Sequence, residues 1–124
     1  MNNNTSADDV KEYLMKVKQA MTAKVTNQSC WVFVQRAENT NCLLALGLTL
    51  QDLRDVILSL SYHDYSLGPV SDRDIPGQLW IFGKLVNGIE IYIKTKLVEI
   101  GDLRVVRIIS FHPAGQPLQY PYDK

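Results

Sequence analysis

The sequence predicts an α+β domain: an antiparallel sheet with a C-terminal three-stranded meander, packed on two or three helices. Three observations carry this. Residues 78–112 hold three runs rich in β-branched and aromatic residues, separated by Asn87-Gly88 and Gly101-Asp102. Asn-Gly between such runs marks a hairpin, because a type I′ turn needs positive φ at both central residues. In the middle run Ile89, Ile91, Ile93, Thr95 and Leu97 alternate with Glu90, Tyr92, Lys94 and Lys96, so one face is core and the other is wet. Upstream, apolar residues recur at helical spacing in two separate stretches.

Taken in order, residues 1–5 are polar and expected to fray. Ser6 caps a first helix, with Asp8 and Asp9 in the first turn, where carboxylates complement the dipole. Val10, Tyr13, Leu14, Val17 and Met21 form its apolar stripe, and Lys11, Lys16, Lys18 and Lys24 its solvated side. Residues 30–36 (CWVFVQR) read as a short strand at a sheet edge. A short helix over 43–48 should end at Gly47, a usual place for a left-handed terminal residue. Thr49 and Asp52 then open a second amphipathic helix, with Leu50, Leu53, Val56, Ile57 and Leu60 inward.

Residues 61–77 show no period and hold two glycines, two prolines and three aspartates. They are expected to form a long loop able to fold over the open face of the meander. His63, Asp64 and Tyr65 are its chemically notable residues. The plainer alternative is that Asp64 turns the chain, His63 is exposed and Tyr65 packs. The tail from Pro113 onward is rich in proline and tyrosine and should lie extended across the domain.

The register of the meander decides what shares the open face. A two-residue loop at Asn87-Gly88 pairs Phe82 with Ile93 and Gly83 with Tyr92, leaving room beside the phenol. A strict two-residue loop at Gly101-Asp102 would turn Ile109 and Phe111 outward, and a one-residue slip flips every side chain. A three-residue loop repairs the pattern, putting Ile109 and Phe111 in the core, Ser110 opposite Lys94 and His112 opposite Tyr92. Tyr92, Lys94, Lys96, Ser110 and His112 then share one open face, with Arg104 further along it.

A chain of 124 residues fits one domain, residues 1–124, with enough length to bury a core unaided. Formal net charge is zero, which suits a general nucleic-acid binder poorly. The charge is uneven: residues 1–76 carry seven basic and nine acidic side chains, and residues 77–124 carry six and four. The meander half is therefore the more cationic. No basic-plus-apolar leader and no apolar run of membrane-spanning length is seen, so a cytoplasmic protein with no membrane partner is expected. Cys30 and Cys42 then read as small buried hydrophobes, with a disulfide or metal pair as the alternative. No metal-ligand spacing, phosphate loop or nucleophile elbow is present.

What remains is His112, able to exchange a proton near neutral pH, beside cations that can neutralise a phosphate and an aromatic that can stack on a base. Metal-free RNA cleavage requires such parts. Polar residues alternating on a strand also occur simply as the wet side of a sheet.

Leu46-Gly47-Leu48, His63-Asp64-Tyr65, Tyr92-Ile93-Lys94 and Ile109-Ser110-Phe111-His112, with their spacing, resemble the MqsR-type toxins of bacterial toxin–antitoxin systems over roughly residues 46–112. The resemblance implies a RelE-like fold, endoribonuclease activity on mRNA with no metal or other cofactor, and a cognate antitoxin protein as partner. The family's functional tyrosine falls on Tyr92, and its functional lysine after Ser-Phe falls on His112. Two further family positions, a lysine and a glutamine, fall near Leu67 and Ile81, which depart from the pattern. The candidates are thus His112, Tyr92 and Lys94 for catalysis, and Lys96, Arg104, His63 and Tyr65 for RNA binding. Two other readings stand beside this one: a non-catalytic protein-interaction domain that retains the toxin fold, and a small-molecule binder using the loop and sheet face.

Overall fold

A computed structural model describes residues 5–23 and 30–123. The expected fraying of residues 1–4 and the position of Lys24 lie outside the described residues. In chain order the elements are α1 (Ala7–Thr22), β1 (Trp31–Phe33), α2 (Ala37–Leu46), α3 (Leu50–Leu58), a 3-10 turn (Tyr62–Asp64), β2 (Tyr65–Ser71), β3 (Gln78–Val86), β4 (Ile89–Ile100) and β5 (Leu103–Pro113). The strands form one sheet in the order β1-β5-β4-β3-β2, antiparallel except for the β1–β5 pair. The α+β class and the meander packed on helices are as the sequence predicts.

α1 begins at a full capping box between Ser6 and Asp9. Its stripe, Val10, Tyr13, Leu14, Val17 and Met21, is buried together with Ala20. It crosses the apolar sheet face, where the Tyr13 ring stacks on Trp80 at 4.3 Å between centroids and its hydroxyl meets Thr95 Oγ1 at 2.8 Å. Phe82, Ile91, Ile93, Ile108 and Phe111 floor this core, and Leu53, Ile57 and Leu60 close it from α3 and the residues after it. Leu50, placed inward by its spacing, is 52 % exposed at the first turn of α3. Cys30 and Cys42 are buried and unpaired.

The structure redraws three elements. α2 starts at Ala37, well before residue 43, and ends at Gly47 with φ 67 as expected. Its first turns (AENTN) carry no apolar stripe, because their anchor is the buried polar residue Asn39. Residues 61–77 are not one long loop. They hold a 3-10 turn and the edge strand β2, which is interrupted by Gly68-Pro69 and two register shifts. Proline fits only at an edge or irregularity, and each shift erases the period of two by which a strand is recognised.

The third change is the turn after β4. Ile100 pairs directly with Leu103, so the turn is the tight two-residue one, with a register shift between Lys94 and Thr95. Thr95 faces Ile108 and Lys94 faces Ser110, which leaves Ile109 as the extra residue of a β-bulge. The bulge does what a longer loop would have done for the far end of the strand: Tyr92 pairs with His112. The inward pair becomes Ile108 and Phe111, while Ile109 is buried on the opposite face beside Leu79 and Lys94.

Candidate functional site

The second face of the sheet is built from alternate residues of three strands. β3 contributes Leu79, Ile81 and Gly83, β4 contributes Glu90, Tyr92, Lys94 and Lys96, and β5 contributes Arg107, Ile109, Ser110 and His112. At its centre the rings of Tyr92 and His112 stack, with centroids 5.4 Å apart and planes 18° from parallel. The His112 side chain is 23 % exposed. Its Nδ1 lies 3.0 Å from the Pro113 carbonyl oxygen. A carbonyl can only accept, so Nδ1 is the donor here, and the neutral form of the ring keeps its lone pair on Nε2. Nε2 is 3.9 Å from Glu38 Oε2, on the first turn of α2. Burial raises the Tyr92 hydroxyl above the ordinary phenol range, which keeps it a hydrogen-bond donor at neutral pH. Lys94 follows on the same face, half-buried, opposite the buried Ser110.

The other sequence candidates sit elsewhere. Lys96 is on this face but fully buried. Its Nζ donates to Asp72 Oδ2 at 3.0 Å and to the Ile75 carbonyl at 2.9 Å, under the turn of residues 72–77. Gly77, at φ 130, allows that closure, since a Cβ there would come within 2.4 Å of Lys96 Cε. Lys96 is therefore a structural cation, not part of an open surface. The Asp72 carboxyl is held at about 2, first by the backbone N–H of Asp74 and then by the Lys96 ammonium.

Arg104 is not on this face. It pairs with Glu99 in the ladder, on the helix side, with Nε 3.9 Å from the Glu99 carboxylate. The bulge explains the correction. A three-residue loop puts Arg104 outward and Arg107 inward, whereas a tight turn with a bulge at Ile109 reverses both. Arg107 is thus the arginine of the second face, and only the position of the bulge reveals it.

His63 is exposed on the 3-10 turn, with Nδ1 2.8 Å from the Tyr122 carbonyl. Asp64 caps that turn through Ser61 N and pairs with Lys84 at 3.2 Å. Tyr65 is wholly buried, with Trp80 and Phe82 against its ring edges and Tyr122 stacked on it. These are the plainer roles weighed for this trio, and Tyr65 has no surface to offer a nucleic acid. Leu67 is 42 % exposed on β2. Ile81 is buried opposite Lys94, an apolar floor beside the ammonium stem.

The room expected beside Tyr92 is filled by the tail, which lies extended as its prolines suggest. A Cβ on Gly83 would fall 2.1 Å from the Tyr120 hydroxyl and 2.6 Å from Leu118 Cδ1. Tyr120 donates to Glu90 Oε2 at 2.6 Å, and Leu118 N donates to Glu90 Oε1 at 3.3 Å. The tail straps the β3 side of the site, and α2 brings Glu38 to its β5 side. A cavity of about 690 Å³ lies against the other sheet face between α1 and β2–β3, by Tyr13 and Trp80.

Beyond Lys94 the second face sinks into a cleft of about 120 Å³, lined by the cations Arg36, Lys94 and Arg107, the carboxylates Asp72 and Asp74, and four apolar residues. No helix among the described residues is long and apolar enough to cross a membrane. Compared with known proteins, the chain matches no protein-family model, no curated protein and no solved structure.

Proposed function

We propose that the chain is the toxin of a toxin–antitoxin pair, a metal-independent endoribonuclease that cleaves mRNA by general acid–base chemistry. One observation carries the reading: the His112 imidazole stacked on the Tyr92 phenol, with the half-buried Lys94 ammonium on the same face. The resemblance to MqsR-type toxins supports it through the same two positions, Tyr92 and His112.

In this reading His112 Nε2 takes the proton of the ribose 2′-hydroxyl as the 2′-oxygen attacks phosphorus. Glu38 faces the imidazolium that forms. The Lys94 ammonium balances the charge that grows on the phosphoryl oxygens. The Tyr92 hydroxyl donates toward the phosphate or the departing 5′-oxygen, and its ring holds the imidazole in place. The bond from phosphorus to the 5′-oxygen breaks, the departing oxygen takes a proton from water, and His112 returns the proton it accepted to solvent, leaving a 2′,3′-cyclic phosphate and a 5′-hydroxyl. A cytoplasmic setting and a cognate antitoxin belong to the same proposal.

A second reading, a non-catalytic interaction domain on this fold, is favoured by one observation: Lys96, a cation the RNA face was expected to use, is spent on Asp72. Induction in a bacterial host separates the two. The toxin reading expects growth arrest by wild type, relieved in His112→Ala. A harmless wild type, or an equally toxic alanine variant, favours the interaction domain.

A further inference from the structure

We infer that the cleft holding Arg36 and Arg107, with Lys94 between it and His112, is an anion subsite that takes a phosphodiester group further along the strand than the one cleaved at His112. The inference rests on the ribonuclease reading and names a part of the substrate that reading leaves unassigned.

Three cations converge on a cavity of about 120 Å³, roughly the volume of four water molecules and enough for a phosphate group. None of them makes an ion pair with a described carboxylate. Lys94 and Arg107 are half-buried. Like charges brought together and partly removed from water raise the free energy of the empty site, and an anion relieves that. Of the two carboxylates in the lining, Asp72 is already committed to Lys96 and to two backbone N–H groups. Set against the three cations, Asp74 then leaves a local excess of two positive charges. Val34, Ile75, Leu79 and Ile109 supply apolar walls that exclude water and strengthen each contact.

Position adds the role. Lys94 is two residues from Tyr92 on the same face of β4, about 7 Å along the strand. Arg107 lies about 15 Å from His112 along β5. A strand of RNA with its reacting phosphate between His112 and Lys94 therefore runs on over Arg107 and Arg36, which meet a later phosphate. Arg107 and Arg36 are positioning residues in this account: they hold the substrate and do not touch the reacting atoms.

The test uses the purified full chain with two substrates, a single-stranded RNA and a dinucleotide whose only phosphate is the scissile one. A 2′-deoxy strand, which lacks the attacking hydroxyl, reports binding alone. Arg107→Gln should lower kcat/KM on the long strand about tenfold, through KM with kcat kept, and leave the dinucleotide unchanged. Its affinity for the 2′-deoxy strand should fall similarly, with the salt slope reduced by about 0.7. Arg36→Gln, an exposed position that cannot disturb the core, should act in the same direction, and Lys18→Gln on α1 should do nothing. Arg107→Gln and Arg36→Gln behaving like Lys18→Gln, or equal losses on both substrates, would overturn the subsite. Arg107-dependent binding by a wild type that cleaves nothing would keep the subsite and sink the ribonuclease reading. A wild type that neither binds nor cleaves removes both.

Discussion

Asn39 shows how one side chain can stand in for a strand. β1 pairs with β5 only as far as Ile108, and the next β5 groups would be left bare at the edge. The Asn39 amide fills the gap, donating to the carbonyls of Val34 and Ile109 at 3.0 and 2.9 Å and accepting from Phe111 N at 3.0 Å. The site depends on this splint, because His112 directly follows Phe111. Asn39→Ala should cost about 3 kcal/mol in urea denaturation, since it leaves buried backbone groups unpaired. Asn39→Asp should cost more at neutral pH, because it aims a carboxylate at two carbonyl oxygens. A loss under 1 kcal/mol would mean that the edge re-pairs. Asp72 provides a pH prediction. Its folded pKa of about 2 lies below the ordinary carboxylate value, so its contribution to stability is present above about pH 4 and is lost as pH falls toward 2. In Asp72→Asn that part of the acid dependence should vanish, as followed by acid titration of the fold.

At the scale of elements, the strap and the bulge shape the site. Gly83 is the one position on β3 where the tail can sit on the sheet, as Tyr120 and Leu118 occupy the place of a side chain. Gly83→Ala should lift residues 118–122 from Glu90. Amide exchange there should rise sharply while that of β4 holds, with about 1–3 kcal/mol of stability lost. Unchanged exchange in the tail would show that it rests on other contacts. The Asn87-Gly88 hairpin was legible because its turn demands residues that few other settings favour. The Ile109 bulge was not legible. A longer loop and a bulge shift register equally at the far end, so Tyr92 and His112 come out paired either way. They differ only near the turn, which is why Arg104 and Arg107 exchange faces. β2 stayed hidden because its Gly-Pro interruption removes the period by which a strand is read.

For the whole molecule, the α+β layering was legible because α1, α3 and the meander carry clear apolar periodicity. The candidate site was legible in its centre, Tyr92 and His112, and illegible at its margins. Lys96 reads as solvent-facing from alternation alone, and only the fold of residues 72–77 buries it. Zero net charge likewise conceals a cationic cleft, since Arg36, Lys94 and Arg107 are far apart in sequence and only the fold gathers them. The central claim, that an imidazole on β5 cleaves RNA without a metal, is tested most directly with purified protein, a labelled mRNA segment and excess chelator, wild type beside His112→Ala. The account predicts cleavage by wild type with 2′,3′-cyclic phosphate ends, and a rate about a hundred- to ten-thousand-fold lower in the variant. No cleavage by wild type under chelator, or equal rates for the two proteins, would contradict it.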